Sequence, residues 1–193
     1  MVDTESTEDT RISQNEYYMR IAMAVRARAN CMGNRVGAII VRENRIIATG
    51  YNGTPSGMQN CLEGGCHRCK CRDEYPAGVG YDLCICVHAE QNALLSAARF
   101  GISVQGGTMY TTLQPCFGCL KEAIQAKIDS IYYLHPWKPS ERSEAEYSRL
   151  LSVFPGGVHQ FKVEDPDAIW AVSTLRQAAK NAQAIADETG HLE

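Results

Sequence analysis

The chain has 193 residues, of which 45% are hydrophobic and 21% are charged, with a formal net charge of −3. This size and composition suit one α/β domain with a sizeable core. The first ten residues hold four acids and no base, so the remainder is close to neutral and lacks the basic character of a polynucleotide-binding protein. No run of 18 apolar residues and no export signal is visible, which predicts a cytoplasmic protein without a membrane segment.

The domain organisation is simple. The acidic, Ser- and Thr-containing start predicts a disordered tail over residues 1–12. No internal repeat or inter-domain linker is visible, so we expect a single domain over residues 13–190. A Cys-rich insertion over about 58–86 interrupts this domain.

The predicted elements of the domain alternate between helix and strand. Ser13 and Glu16 have the spacing of a capping box, which predicts a helix to about residue 29. Asp165 and Pro166 predict the start of a last helix, which runs to about residue 186. The elements between are strands at 36–41 and 45–49, a helix at 87–100, a strand at 108–112, a helix at 116–126, a strand at 131–134, a helix at 140–153 and a strand at 158–163. This order implies a three-layer α/β/α arrangement, in which helices cover both faces of a mixed five-stranded sheet.

Two short motifs indicate a catalytic metal centre. The first is His88-Ala89-Glu90, and the second is Pro115-Cys116-Phe117-Gly118-Cys119. One imidazole and two thiolates are three zinc ligands, and three protein ligands with an open fourth position are typical of catalytic zinc. The combined H-x-E and P-C-x-x-C pattern, with a Glu that is not a ligand, is the signature of zinc-dependent nucleobase deaminases.

The chemistry explains why these residue types are needed. Zinc lowers the pKa of bound water from 15.7 to about 7, and Glu90 is suited to move protons as a general acid and base. His88, Cys116 and Cys119 are predicted at helix N-termini, whose dipoles favour the thiolate form. A lone C-x-x-C could be a zinc knuckle or a redox pair, and a lone H-x-E usually has no function. The two motifs together favour the catalytic interpretation.

The Cys-rich insertion predicts further metal binding. Without an export signal, clustered thiols are better explained as metal ligands than as disulfides. Cys66 and Cys69 have zinc-knuckle spacing, and Cys61, Cys84 and Cys86 could complete such a site. Unliganded thiols are the alternative. The sequence leaves open which four cysteines would close the site and whether a second ion is present there, although we expect at least one structural zinc.

The chain resembles the deoxycytidylate (dCMP) deaminase family, which has the cytidine deaminase-like fold, over about residues 15–135. The resemblance rests on the segments 36–40, 50–57, 88–93 and 111–116, which read VGAII, GYNGTPSG, HAEQNA and TTLQPC. It implies hydrolytic deamination of dCMP to dUMP with release of ammonia. It also implies a homo-oligomer, commonly a hexamer, with dCTP as activator and dTTP as inhibitor.

The same resemblance implies metal-binding and catalytic roles. His88, Cys116 and Cys119 would bind the catalytic zinc, and Glu90 would be the proton shuttle. Cys31 and Cys61 lie where phage-type relatives contribute ligands to a second, structural zinc.

The resemblance further implies a substrate-binding set of Asn52, Ala89, Arg99 and Trp137. Asn52 would bond the substrate near its sugar, although Asn-Gly sequences also serve tight turns. Arg99 would act at the phosphate and the subunit interface, although it could simply cap carbonyls at a helix end. Trp137 stands where relatives commonly have a tyrosine near the phosphate, and it can stack and donate one hydrogen bond.

Three other functions remain as alternatives. A deaminase of the same fold could act on cytidine, deoxycytidine, a free base, a modified dCMP or a pyrimidine of riboflavin synthesis. A non-enzymatic zinc module is disfavoured by Glu90, which a purely structural metal site does not need. A polynucleotide deaminase is disfavoured by the near-neutral charge.

Overall fold

The computed structural model describes residues 11–75 and 79–189, so most of the predicted N-terminal tail lies outside the described residues. Within these ranges it has five β-strands and seven α-helices. The strands are β1 (Gly37–Arg42), β2 (Arg45–Tyr51), β3 (Thr108–Leu113), β4 (Ser130–His135) and β5 (Val158–Gln160). The helices are α1 (Gln14–Arg26), α2 (His67–Lys70), α3 (Ala89–Arg99), α4 (Phe117–Gln125), α5 (Glu144–Leu151), α6 (Ala168–Ala171) and α7 (Ser173–Thr189). None of the described helices is both long and apolar enough to cross a membrane.

The strands form one mixed sheet in the order β2-β1-β3-β4-β5. β1 pairs antiparallel with β2 and β3, whereas β3, β4 and β5 are parallel. The β1–β2 turn places Glu43 and Asn44 at φ values of 52° and 60°, as a two-residue hairpin turn requires. The predicted mixed five-stranded sheet is confirmed.

The side chains of β1 show how this sheet separates two helical layers. Because successive side chains of a strand point to opposite faces, Ala38 and Ile40 pack in one core with residues of α3 and α4. Ile39 and Val41 pack in the other core with residues of α1. The predicted three-layer α/β/α class is therefore confirmed.

Two glycines allow helices to lie unusually close to the sheet. A Cβ atom on Gly37 would lie 2.4 Å from the backbone nitrogen of Arg26 in α1. A Cβ atom on Gly50 would lie 2.2 Å from the carbonyl oxygen of Ala89 in α3. Gly50 thus permits the first turn of α3, which follows the H-x-E histidine, to pack against β2.

The prediction of one continuous last helix from Asp165 is wrong. The chain forms the four-residue α6, becomes extended at Val172 (φ −97°, ψ 118°), and resumes as α7. The break is stabilised by the loop before β1, where the Asn34 side chain accepts a hydrogen bond from the Ser173 backbone N–H at 2.8 Å. The first helix is also shorter than predicted, since it ends at Arg26 rather than near residue 29.

Asp165, which the sequence predicts as a helix cap, instead forms a buried ion pair. Its carboxylate is 3% exposed and accepts two hydrogen bonds of 2.7 Å from the guanidinium of Arg26, which is 1% exposed. His135 Nε2 lies 2.6 Å from the same carboxylate. Asp165 therefore joins α1, the end of β4 and the segment before α6.

Candidate active site and cysteine cluster

His88, Cys116 and Cys119 come together with the geometry of a metal centre. His88 Nδ1 lies 3.4 Å from each of the two Sγ atoms, and the Sγ atoms lie 3.6 Å apart. A tetrahedral zinc ion with ordinary Zn–N and Zn–S bonds has ligand–ligand edges of about 3.5–3.8 Å. The donor set and its spacing therefore fit zinc.

Helix ends position these three side chains, as the sequence predicted. His88 is the N-cap residue of α3, Cys116 is the N-cap residue of α4, and Cys119 lies in the first turn of α4. The backbone N–H of His88 donates to Gln91 Oε1 at 3.0 Å, which fixes the start of α3. Gln91 in turn donates to Glu122 in the second half of α4 at 2.8 Å, so the start of α3 is linked to α4.

The electrostatics of the centre favour a thiolate. The hydrogen bond between Cys116 and Cys119 is the largest cause of the lowered pKa of Cys116, which is about 4, and the His88 imidazole lowers it further. The hydrogen bond between His88 and Cys116 in turn raises the pKa of the imidazole to about 9. An anionic sulfur is the form in which cysteine binds a metal.

Glu90 lies beside the centre without completing its ligand set. It is 4% exposed, and one carboxylate oxygen accepts a hydrogen bond of 3.3 Å from the Thr111 hydroxyl. The other oxygen lies 3.7 Å from Cys119 Sγ. Burial raises the pKa of Glu90 above its usual value, which brings the carboxyl group closer to the range needed for proton transfer near neutral pH.

A cavity of about 350 Å³ opens onto the centre. Three of the four residues in the predicted substrate-binding set line this cavity: Asn52, Ala89 and Trp137. The Asn52 amide accepts from the Val36 N–H and donates to the Asn34 carbonyl, both at 2.8 Å. These bonds join distant segments rather than a local turn, so Asn52 is held rigidly at the cavity wall.

Arg99 is not among the residues that line this cavity. It lies in the last turn of α3, is exposed, and has its guanidinium 5.7 Å from the Phe100 ring. Two arginines of the insertion, Arg68 and Arg72, line the cavity instead. Sequence reasoning missed both, although their position among the clustered cysteines was an available signal.

A second group of cysteines forms one wall of the same cavity. All six thiols that the sequence suggested for a structural site lie together: Cys31, Cys61, Cys66, Cys69, Cys84 and Cys86. Cys71 lies apart from them, with its Sγ 3.8 Å from His67 Nδ1. All nine cysteines of the chain lie in the described ranges, and none forms a disulfide.

The fold and the three-ligand centre beside a buried carboxylate define the class of cytidine deaminase-like zinc proteins. The family model for the cytidine and deoxycytidylate deaminase zinc-binding region matches residues 12–135. The chain belongs to the deoxycytidylate deaminase family, as the resemblance indicated.

Relatives with known names agree with this membership. The deoxycytidylate deaminase of Saccharomyces cerevisiae is 42% identical over 133 residues, which cover 69% of this chain and 41% of the yeast protein. The deoxycytidylate deaminase of Mycobacterium phage D29 is 34% identical over 132 residues, which cover 64% of this chain and 96% of the phage protein. The chain thus spans about two fifths of the length of the yeast relative.

A solved structure shows the same architecture. The dCMP deaminase of cyanophage S-TIM5, in complex with dCMP and dUMP, matches with a TM-score of 0.59 and 31% identity. The match covers 80% of this chain and 99% of the phage chain.

Proposed function

We propose that this protein deaminates dCMP hydrolytically, giving dUMP and ammonia. The single observation that carries the proposal is the buried Glu90 carboxylate, which lies at the cavity beside a three-ligand metal centre. A structural metal site needs four closing ligands and no adjacent acid. The similarity to the cyanophage dCMP deaminase supports the choice of substrate.

His88, Cys116 and Cys119 would hold the catalytic zinc, because their donor atoms fit its bond lengths. When bound, zinc supplies a water of lowered pKa as the nucleophile. The protein contributes the orientation of the three donors, which the starts of α3 and α4 fix.

Glu90 is the proton carrier of this proposal. Its carboxylate takes one proton from the attacking water and delivers it to the pyrimidine N3, and a second transfer carries the remaining proton of that water to the departing amine, which leaves as ammonia. The Thr111 hydroxyl holds one carboxylate oxygen, which leaves the carboxyl group oriented during these transfers. Because burial raises the pKa of Glu90, the protonated form is stabilised at the point where it must act as an acid.

The cavity also offers groups for the rest of the nucleotide. Asn52 still has one amide hydrogen and one carbonyl lone pair beyond its two described bonds, and we assign it to the sugar. Trp137 lines the cavity and packs against Tyr147, with ring centroids 5.5 Å apart, so it can stack on the substrate. Arg68 and Arg72 are the arginines among the described cavity-lining residues, and we assign them to the phosphate.

Zinc has a second place in this proposal. The thiols of the cysteine cluster would hold at least one structural zinc ion, since buried Cys ligands are typical of structural sites. Nine reduced cysteines fit a reducing compartment, which supports a cytoplasmic location.

We also propose a homo-oligomer, with a hexamer as the expected form and dCTP and dTTP as effectors. Exposed apolar side chains at the end of α3 support a subunit contact: Leu95 is 60% exposed, Phe100 is 71% exposed and Ile102 is 39% exposed. Arg99 lies within this surface, so a role at the interface suits its position better than a role in its own cavity.

The test is a substrate panel with ammonia release as the readout. The purified protein is assayed on dCMP, CMP, deoxycytidine, cytidine, cytosine and a riboflavin-pathway pyrimidine. We expect kcat/KM to be highest for dCMP. Equal or higher kcat/KM for a nucleoside or a free base would replace dCMP by that substrate, and no turnover of any compound would overturn the proposal of a deaminase.

A further inference from the structure

The cysteine cluster contains two overlapping metal-binding groups. Each group has four cysteines whose Sγ atoms all lie within 4.8 Å of one another. The first consists of Cys31, Cys61, Cys69 and Cys86, and the second of Cys66, Cys69, Cys84 and Cys86. Cys69 and Cys86 therefore belong to both groups, while the other four thiols belong to one group each.

We infer that this cluster binds two zinc ions that share the thiolates of Cys69 and Cys86. Structural zinc is four-coordinate, so two ions need eight metal–sulfur bonds. Six thiolates supply eight bonds when two of them bridge, which is the ratio of zinc to cysteine in Zn₂Cys₆ modules. Cys31 and Cys61 would be the terminal ligands of one ion, and Cys66 and Cys84 those of the other.

The sulfur–sulfur distances match this arrangement. Two thiolates on one tetrahedral zinc lie about 3.8 Å apart, given Zn–S bonds of about 2.3 Å. Cys69 Sγ lies 4.0 Å from Cys31 Sγ in the first group and 3.6 Å from Cys84 Sγ in the second. Cys66 Sγ and Cys84 Sγ lie 3.8 Å apart. Cys69 is thus at bridging distance from both halves of the cluster.

The surroundings suit the charge of such a cluster. Two zinc ions with six thiolates carry a net charge of about −2. The N–H groups of Met32 and Gly33 donate to Cys61 Sγ and Cys31 Sγ at 3.4 and 3.3 Å. The positive charges of Arg35 and Arg176 also interact with Cys31. Backbone donors and cations on one side therefore offset the excess negative charge.

A single zinc ion would use the cluster less completely. An ion in the first group leaves Cys66 and Cys84 unliganded beside it, and Cys66 is fully buried. An ion in the second group leaves Cys31 and Cys61 unliganded, and both are buried. The two-ion arrangement gives every one of these thiols a metal partner.

The cluster joins three segments that are distant in the sequence. Cys31 follows α1, Cys61 to Cys69 lie in the first half of the insertion, and Cys84 and Cys86 lie at its end, just before His88. Four of its members, Cys31, Cys69, Cys84 and Cys86, line the cavity. The paired ions would thus fix the insertion, with Arg68 and Arg72, against the start of α3. This inference does not depend on which reaction the protein catalyses.

Metal counting tests the inference directly. Native mass spectrometry and elemental analysis of the purified wild-type chain should give three zinc ions, two in the cluster and one at His88. The His88→Ala variant, which lacks a catalytic-centre ligand, should retain two. Cys71→Ser removes a thiol of the same insertion that belongs to a separate, more exposed group with His67 and Glu74, and it should keep all three. Two zinc ions in wild type and one in His88→Ala would overturn the paired site.

Cadmium substitution tests the bridging ligands. In the His88→Ala background, ¹¹³Cd NMR should show two resonances at the chemical shifts of all-thiolate coordination. Cys69→Ser should shift or remove both resonances, because that sulfur contacts both ions. A single resonance before substitution, or a Cys69→Ser spectrum in which one resonance is unchanged, would overturn the assignment. If Cys69→Ser does not fold, the resonance count of the parent protein still decides the number of ions.

Discussion

The proposed catalytic centre and the cysteine cluster lie against the same cavity but are built differently. The centre has one imidazole and two cysteine sulfurs, all held at the starts of α3 and α4. The cluster has six cysteine sulfurs, which come mainly from loops and short helical turns. The buried carboxylate of Glu90 lies beside the His88, Cys116 and Cys119 centre and accepts a hydrogen bond from Thr111.

This difference in construction suggests different roles for the two regions, with catalysis at the proposed catalytic centre and structural stability at the cysteine cluster. Backbone hydrogen bonds hold the starts of α3 and α4, and the Gln91–Glu122 contact links α3 to α4, so we expect both starts to keep their positions without a metal. The insertion of about 58–86 has short helical turns and no strand within its described residues, so its thiols have fewer competing constraints. We therefore expect metal loss to stop the chemistry at the first site and to loosen the structure at the second.

The largest effect should come from Glu90→Gln. The substitution keeps the size of the side chain but removes its capacity to carry protons, so kcat should fall by about 10⁴-fold. Zinc content and thermal unfolding should stay close to wild type, since Glu90 is not a ligand. Steady-state kinetics with dCMP and elemental analysis measure these quantities.

Glu146→Gln is the matched control for this change. Glu146 is an exposed carboxylate that pairs with Arg149 and is not among the cavity-lining residues, so its loss should leave kcat unchanged. A Glu90→Gln variant with kcat near that of wild type would show that Glu90 does not carry protons, and the contrast between a reactive centre and a structural cluster would fail.

A second pair of variants compares one thiol from each region. Cys61→Ser should lower the free energy of unfolding by more than about 4 kcal/mol, because it removes a buried ligand of a structural site. Cys116→Ser should abolish activity while lowering stability much less, since α3 and α4 keep their backbone contacts. Urea unfolding followed by circular dichroism gives both values. Equal destabilisation by the two substitutions would contradict the division into reactive and structural centres.

The grouping of His88, Cys116 and Cys119 at two helix starts could be predicted from the sequence because its determinants are local. Pro115 starts a helix at a position where its missing N–H is harmless, and Gly101 follows the end of α3 with φ of 68°. These signals placed His88 and Cys116 at helix starts, where the structure also has them. The mixed five-stranded sheet could also be predicted, because each strand and helix is marked by local sequence patterns and their order implies the sheet.

The composition of the cysteine cluster and the roles of Arg99 and Asp165 could not be predicted, because they depend on contacts between segments that are distant in the sequence. Cys31 and Cys61 are 30 residues apart, and no spacing rule shows which thiols they meet. The resemblance implies that Arg99 acts at the phosphate and the subunit interface. In the structure it lies ten residues along α3 from Ala89, which is about 15 Å at 1.5 Å per residue, and sequence spacing does not show which of the two places it reaches. Asp165 looked like a helix cap because its local sequence fits one, whereas its buried partner Arg26 is 139 residues away.

The arginines of the insertion give the third prediction. Charge-assisted hydrogen bonds contribute roughly 1.5–3 kcal/mol each, so Arg68→Ala and Arg72→Ala should each lower kcat/KM for dCMP by about 10- to 100-fold. Activity on deoxycytidine, which lacks the phosphate, should change little. Comparison of the two substrates in the same variant separates phosphate binding from general loss of structure.

Two further arginines sharpen this test. Arg45→Ala is the control, because Arg45 is exposed on β2 and is not among the cavity-lining residues. Arg99→Ala distinguishes the two assignments of the phosphate. If Arg99→Ala reduces kcat/KM for dCMP more than the insertion variants do, the phosphate site is built around α3 and not around the cysteine-rich wall of the cavity.

The smallest effect concerns Asp165, whose charge is compensated without a metal. Burial alone would raise its pKa, but hydrogen bonds from Arg26 and His135 outweigh burial and lower the pKa to about 2. The unfolded value is about 3.9, so this stabilisation is complete above pH 5 and declines as pH falls toward 2. The difference in unfolding free energy between wild type and Asp165→Asn should narrow by roughly 1 kcal/mol from pH 5 to pH 3. Urea titrations at each pH, with released zinc measured alongside, separate this loss from protonation of the metal-binding thiolates. A constant difference across that range would show that the folded and unfolded pKa values of Asp165 are equal.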